Sequence, residues 1–171
     1  MIIVNYGDGK GKTTAAMGTA MRAVADNWNV VIVQFLKGRE TGEIELLKKY
    51  PNVTVIRGKN STKFSFAMDK EEKAQARTIH TANLNEGIEL VKQGECDMLI
   101  LDEVLGAIET NLIDEAPLKE LLAHMPETLE LIITGRIMPD YIEKAADYIT
   151  EVKMLRHPFE KGVTARKGVE F

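Results

Sequence analysis

One cysteine, Cys96, is all the thiol chemistry in this sequence of 171 residues. No internal disulfide can form, and a reducing cytoplasm is the expected home. Cys96 just precedes an apolar run, which suits a buried small hydrophobe and not a nucleophile. Histidine is scarce too. His80, His124 and His157 share no metal-ligand spacing, so a zinc centre is not expected. An excess of basic charge is also missing: the net charge of −4 argues against a nucleic-acid groove. No apolar stretch approaches the length of a membrane span, so no membrane partner is expected. An apolar run begins at residue 2, and nothing there resembles a signal peptide. Repeats and low-complexity segments are absent. What remains is 44% apolar and 28% charged, the composition of a single domain over residues 1–171 with one well-buried core.

Short apolar runs at 2–5, 30–35, 53–57, 98–102, 129–134 and 148–155 lack polar alternation. That pattern fits strands buried on both faces, as in a parallel sheet. Helical patterns at 12–25, 41–50, 69–92, 116–125 and 139–147 separate most of them. Asp114 is placed to accept amide protons at the start of the helix containing Pro117, Pro126 stops that helix, and Pro139 starts the next. The expected fold is an α/β, doubly wound, mostly parallel sheet with helices on both faces. Its ligands should sit at the carboxyl ends of the strands. The segment 57–68, basic and bearing Phe64 and Phe66, is the longest unpatterned stretch and is expected to be a functional loop.

The richest signal is Gly7-Asp8-Gly9-Lys10-Gly11-Lys12-Thr13-Thr14, between the first apolar run and a helical pattern. Strand, glycine loop and helix together turn backbone N–H groups toward one point, where a polyphosphate fits. Lys12 would reach phosphate oxygens, and Thr13 would ligate the accompanying Mg²⁺. The usual P-loop spacing would put a glycine at position 6, where Tyr6 stands, so this loop is one residue shorter. Met98-Leu99-Ile100-Leu101-Asp102-Glu103 is an apolar run ending in two acids, the form of a strand whose tip holds Mg²⁺ beside the phosphates. Glu103 could equally be an acid favoured by a helix N-terminus. Leu131-Ile132-Ile133-Thr134-Gly135-Arg136 ends in an arginine that either contacts phosphate or lies in a solvated turn. Gln34 and Lys37, in Val33-Gln34-Phe35-Leu36-Lys37-Gly38, are polar groups at the same edge and say little alone.

In order along the chain, four blocks resemble the P-loop type of ATP:corrinoid adenosyltransferases. They are the shortened loop with Ala15-Ala16-Met17-Gly18-Thr19-Ala20; Val33 to Gly38; Leu101-Asp102-Glu103 with Ile132 to Arg136; and the tail from His157-Pro158-Phe159 to Val169-Glu170-Phe171. The shortened loop is itself a trait of that family. The resemblance implies transfer of the 5′-deoxyadenosyl group of ATP to a corrinoid whose cobalt is in the +1 state, with release of tripolyphosphate. It implies nucleotide contacts from Gly7, Asp8, Gly9, Lys10, Gly11, Lys12, Thr13 and Thr14, with Mg²⁺ (or Mn²⁺) on Thr13 and Glu103. Lys12, Glu103 and Arg136 would be the catalytic residues. Asp8 stands where relatives more often have asparagine at the ribose. Phe64 and Phe66 would wedge beneath the corrin ring; the alternative is that they are core residues under a long loop. A homodimer and a flavoprotein-type reductant complete the expected partners. Some relatives carry a helix ahead of the first strand that covers the partner's corrinoid site, so here that site is expected to be more open or capped by another segment. The same loop and acids would also serve a phosphoryl-transferring NTPase or small-molecule kinase, or a nucleotide-binding adaptor without turnover.

Overall fold

In the computed structural model, residues 1–38, 41–58 and 67–170 are described. The chain runs β1 (Ile2–Tyr6), α1 (Lys12–Ala25), β2 (Val30–Gln34), α2 (Gly42–Leu47), β3 (Val53–Ile56), α3 (Lys70–Lys92), β4 (Met98–Asp102), α4 (Val104–Glu109), α5 (Ala116–Ala123), β5 (Glu130–Thr134), α6 (Asp140–Ala145) and β6 (Tyr148–Glu151). The strands form one sheet in the order β3-β2-β4-β5-β1-β6, and every pairing is parallel. The expected doubly wound α/β architecture is therefore present.

Strand alternation explains the two-sided core. Val31, Val33, Leu99, Leu101, Leu131 and Ile133 point to one face and pack with α3, α4, α5 and α6. Val30, Ile32, Met98, Ile100 and Ile132 point to the other and meet Ala16, Met17, Ala20 and Ala23 of α1 and Ile44 and Leu47 of α2. No residue of β2 or β4 reaches solvent, which is why both read as unbroken apolar runs. The connection through α1 carries the chain from β1 toward β2, while β6 lies on the other side of β1. The carboxyl end of β1 thus borders the point where the winding reverses, the usual ligand crevice of such sheets.

Several elements differ from expectation. The short helix α4, directly after the acids, is not foreseen by any long periodic run. The last strand stops at Glu151 and not at 155, and α2 and α5 end early, at Leu47 and Ala123. Asp114 does accept the Ala116 amide (3.1 Å) as expected. The helix α3 opens with a reciprocal capping box: the Asp69 carboxylate accepts from Glu72 N (2.9 Å), and the Glu72 carboxylate accepts from Asp69 N (3.0 Å). Its buried stripe is Ala76, His80, Asn83, Leu84, Gly87, Ile88 and Val91, narrow because it covers the sheet on one side only. Gly87 permits that approach, since a Cβ there would lie 2.7 Å from Val33 Cγ2.

His80 is 1% exposed, 5.6 Å from the Phe35 ring centre, and its Nδ1 has no hydrogen-bond partner among the described residues. Burial pushes its pKa down to about 4. Above the unfolded value of about 6.5 both states are neutral and the group is silent. As pH falls from there, the unfolded chain takes the proton first, so stability drops until the folded pKa is reached. The wild-type protein is expected to lose about 3 kcal/mol through this group between pH 6.5 and pH 4. His80→Leu should flatten that part of a urea-derived stability profile; an unchanged slope would refute the assignment.

Candidate active site

The chain leaves β1 into a loop that is tight because another segment lies against it. Gly7 has φ 111°, and its N–H donates to the Arg136 carbonyl (3.1 Å). The Gly9 N–H donates to the Val152 carbonyl (2.7 Å), just after β6. A Cβ on Gly7 would sit 2.5 Å from Val152 O, and one on Gly9 would sit 2.8 Å from the same atom. Only glycine allows this contact, which accounts for the first two loop glycines. The Asp8 carboxylate accepts from Met154 N (2.9 Å), and Lys10 Nζ donates to Val169 O (2.9 Å), so the carboxyl-terminal segment is tied to the outside of the loop.

Gly11, at φ 119°, turns the chain into α1. The amides of Lys12, Thr13 and Thr14 open the helix and have no carbonyl a turn earlier within it, so they face an incoming anion. Lys12 Nζ curls over the loop and donates to Gly9 O (2.7 Å).

The second half of the site is built on Asp102, which is wholly buried at the end of β4. Its Oδ1 accepts from the hydroxyls of Thr13 (2.9 Å) and Thr134 (2.8 Å). Its Oδ2 accepts from Gln34 Nε2 (3.1 Å) and Lys37 Nζ (2.5 Å). Four groups from α1, β5, β2 and the β2 exit therefore meet on one carboxylate. Sheet order explains the convergence. β4 pairs with β2 in the register Gln34↔Asp102, and β5 separates β4 from β1 and brings Thr134 up beside them. Leu36, at φ 55°, bends the chain past β2 just ahead of Lys37. Gln34 Oε1 is buried and has no hydrogen-bond partner among the described residues.

Glu103 follows in the left-handed conformation (φ 65°), and its amide donates to Thr134 Oγ1 (2.8 Å). Gly135 at φ 152° lets α4 close onto the strand ends, for a Cβ there would lie 2.4 Å from Leu105 Cβ. Burial, then the Asp102 charge, raises the Glu103 pKa, against the pull of Lys37, Lys12 and Arg136. Burial likewise lowers the Lys12 pKa; Arg136 adds to the lowering, while Glu103, Asp8 and Asp102 oppose it. These charges share one field at the rim of the crevice.

No group of three or more His, Cys, Asp or Glu side chains among the described residues could hold a metal without help. The donors here are a hydroxyl, two carboxylates and the orphaned Gln34 carbonyl. Hard oxygens in small number suit Mg²⁺, which keeps waters and phosphate oxygens as further ligands. The residues fit that ion.

Of the residues singled out from sequence, Gly7 to Thr14, Glu103 and Arg136 come together at this one edge. Phe64 and Phe66 lie outside the described residues. Sequence reasoning placed the metal weight on Glu103 and undervalued Asp102, Gln34, Lys37 and Thr134. Their signal was a polar residue at or just beyond the tip of an apolar strand, repeated on three strands that turn out to be neighbours.

Residues 1–171 match the family model described as ATP:corrinoid adenosyltransferase BtuR/CobO/CobP. Corrinoid adenosyltransferase CobA of Salmonella typhimurium is 34% identical over all of this chain and 85% of its own length. Corrinoid adenosyltransferases of a Sinorhizobium species and of Escherichia coli K12 are 32% and 30% identical, again over the whole chain, which covers 80% and 85% of them. Among solved structures, EssC (ATPases 2 and 3) of Geobacillus thermodenitrificans aligns with 98% of this chain at TM-score 0.52 and 10% identity, a likeness of fold alone. The chain spans about a third (34%) of that protein's chain.

Proposed function

The chain belongs to the ATP:corrinoid adenosyltransferase family, and from that premise we propose how its residues share the reaction. The activity is transfer of the 5′-deoxyadenosyl group of ATP to a corrinoid. The cobalt(I) electron pair attacks the ribose C5′, the C5′–O bond breaks, and tripolyphosphate leaves with that bonding pair. The nucleophile belongs to the substrate. The protein's work is to orient the triphosphate and offset the charge that builds on it.

The observation that carries the site assignment is the meeting of Thr13 and Asp102, 89 positions apart, at 2.9 Å. It brings the helix N-terminus and the strand-tip acids together, which supports their sharing one ligand. The amides of the 7–14 loop and Lys12 would grip the phosphates, with Arg136 adding positive charge from the rim. Thr13 and Glu103 would hold Mg²⁺ (or Mn²⁺), with Asp102 orienting Thr13; the ion would supply positive charge to the leaving tripolyphosphate. Asp8 already accepts from Met154 N through Oδ1, so a ribose hydroxyl would fall to its other oxygen. The phosphoryl-transfer reading is not favoured by the family match. Anaerobic incubation with ATP, Mg²⁺ and cob(I)alamin is the test. An adenosylcobalamin spectrum with released tripolyphosphate is expected; orthophosphate or ADP as the product would reject the function.

Phe64 and Phe66 are proposed to lie beneath the corrin ring. Replacing both by alanine should raise the corrinoid KM by about tenfold to a hundredfold, the value of roughly one to two buried aromatic contacts. The KM for ATP should not move. A parallel loss for ATP would return the pair to the core. A flavoprotein-type reductant and a cytoplasmic setting belong to the same reading. No helix among the described residues is long and apolar enough to cross a membrane.

A homodimer is proposed through the β6 edge. All four β6 residues are exposed, the large apolar side chains of Tyr148 and Ile149 among them. An open edge of this kind invites a second strand. Light scattering should give twice the chain mass, and Ile149→Lys should shift the protein toward monomer. A monomeric wild type would exclude the interface.

A further inference from the structure

Lys37 has no part in the assignment above, yet its ammonium lies against Thr13, one of the two proposed metal ligands, and Asp102 beside it. Nζ is 2.5 Å from Asp102 Oδ2 and 3.0 Å from Thr13 Oγ1. The Asp102 side chain is 0% exposed and that of Lys37 only 21%. A buried carboxylate needs a compensating charge, and Lys37 supplies one. The Thr13 hydroxyl donates its proton to Asp102 and accepts one from Lys37. The oxygen that a metal would take is therefore already engaged by a cation. Like charges that close in a poorly solvated crevice repel strongly.

We propose that Lys37 is a resident counter-ion that fills the divalent-cation seat of the nucleotide-free enzyme and swings to the triphosphate when metal and nucleotide enter together. The proposal rests on the reading of Thr13 as a metal ligand. The long, flexible lysine stem permits the swing. The anionic triphosphate offers the ammonium a new partner, while the entering dication takes over neutralisation of Asp102. Free divalent ion lacks that second half of the exchange, so it meets an occupied seat. Metal then arrives with the triphosphate and not before it. The buried Gln34 Oε1, which accepts no proton among the described residues, stands ready for a water carried in with the ion.

The test uses Mn²⁺ alone as probe, read by electron paramagnetic resonance on the full chain without nucleotide. Wild type should leave the aqueous Mn²⁺ signal intact at concentrations where Lys37→Met quenches it, an affinity gain of at least tenfold. Mn²⁺ should also raise the melting temperature of Lys37→Met and not that of wild type. Equal binding by the two proteins would overturn the proposal. Should Lys37→Met fail to fold, wild type with ¹³Cε-labelled lysine gives an independent reading. The Lys37 resonance, assigned with Lys37→Arg, should move on adding Mg²⁺ and ATP together and stay fixed with Mg²⁺ alone. A resonance unmoved by both ligands together would overturn the proposal too. The underlying reading fails separately: Thr13→Ala would then leave binding of the Mn²⁺–ATP complex unchanged.

Discussion

Lys12→Ala is expected to lower kcat/KM for ATP by about a thousandfold while leaving the fold intact. The size follows from the place of the charge. The ammonium curls over the loop onto Gly9 O, and burial has pulled its pKa below the ordinary lysine range, with Glu103 opposing and Arg136 adding to the lowering. Removing one preorganised donor from developing negative charge commonly costs about a hundred- to a thousandfold. Lys12 carries a full charge in addition, so the upper end applies. Stability should barely change, because Nζ donates to a carbonyl, Gly9 O, a bond worth about 1 kcal/mol. The anaerobic transfer assay at varied ATP, with a melting curve, checks both halves. The lowered pKa adds a pH signature: the positive charge is lost on the alkaline side earlier than for a solvated lysine, so activity should begin to fall there first. Lys12→Arg should not restore the rate, since a planar fork does not replace a point charge inside so tight a loop. A Lys12→Ala enzyme with near-normal turnover would remove the loop from the phosphates.

Much of this was readable in the sequence, for reasons that differ from part to part. The central strands β2 and β4 were legible because each is buried on both faces, which leaves no polar alternation to confuse the pattern. The glycine loop was legible because its chemistry is local: Gly7, Gly9 and Gly11 are spaced for it within a few residues. The hub was not legible. Asp102, Gln34, Thr134 and Lys37 lie far apart in the chain, and only the order β2-β4-β5-β1 makes them neighbours. Nothing in a run such as Val33-Gln34-Phe35 states which strand lies next to it. The role of Asp102 in holding Thr13 was hidden for a similar reason: in sequence it is the last residue of a strand, and its four partners appear only in space. The reason for the first two loop glycines also lay elsewhere, in the Val152 and Lys153 backbone that crowds Gly7 and Gly9. His80 sat on a helix whose pattern gave no clean stripe, and its burial under Phe35 followed from the pairing of α3 with β2.

The hub makes Asp102→Ala the most destabilising substitution expected in the site. It strips the Lys37 ammonium, Gln34 Nε2 and two threonine hydroxyls of their common acceptor at once. Breaking a buried ion pair from one side costs about 3–5 kcal/mol, a large share of the roughly 5–15 kcal/mol by which domains are stable. Asp102→Asn should cost less, because the amide oxygen can still accept from Lys37 while its nitrogen turns to the threonines. Its transfer rate should nevertheless fall by about a hundredfold, for a neutral amide neither orients the Thr13 hydroxyl as a ligand nor answers a positive charge. The two losses can be separated. Combining Asp102→Leu with Lys37→Met removes both charges and the need to pair them, so the double variant should be more stable than Asp102→Ala despite the larger change. Its activity should stay lost. Urea unfolding of the three proteins beside the anaerobic product assay gives the comparison. A double variant no more stable than Asp102→Ala would mean that the carboxylate is held by its hydroxyl and amide donors, with the Lys37 charge contributing little.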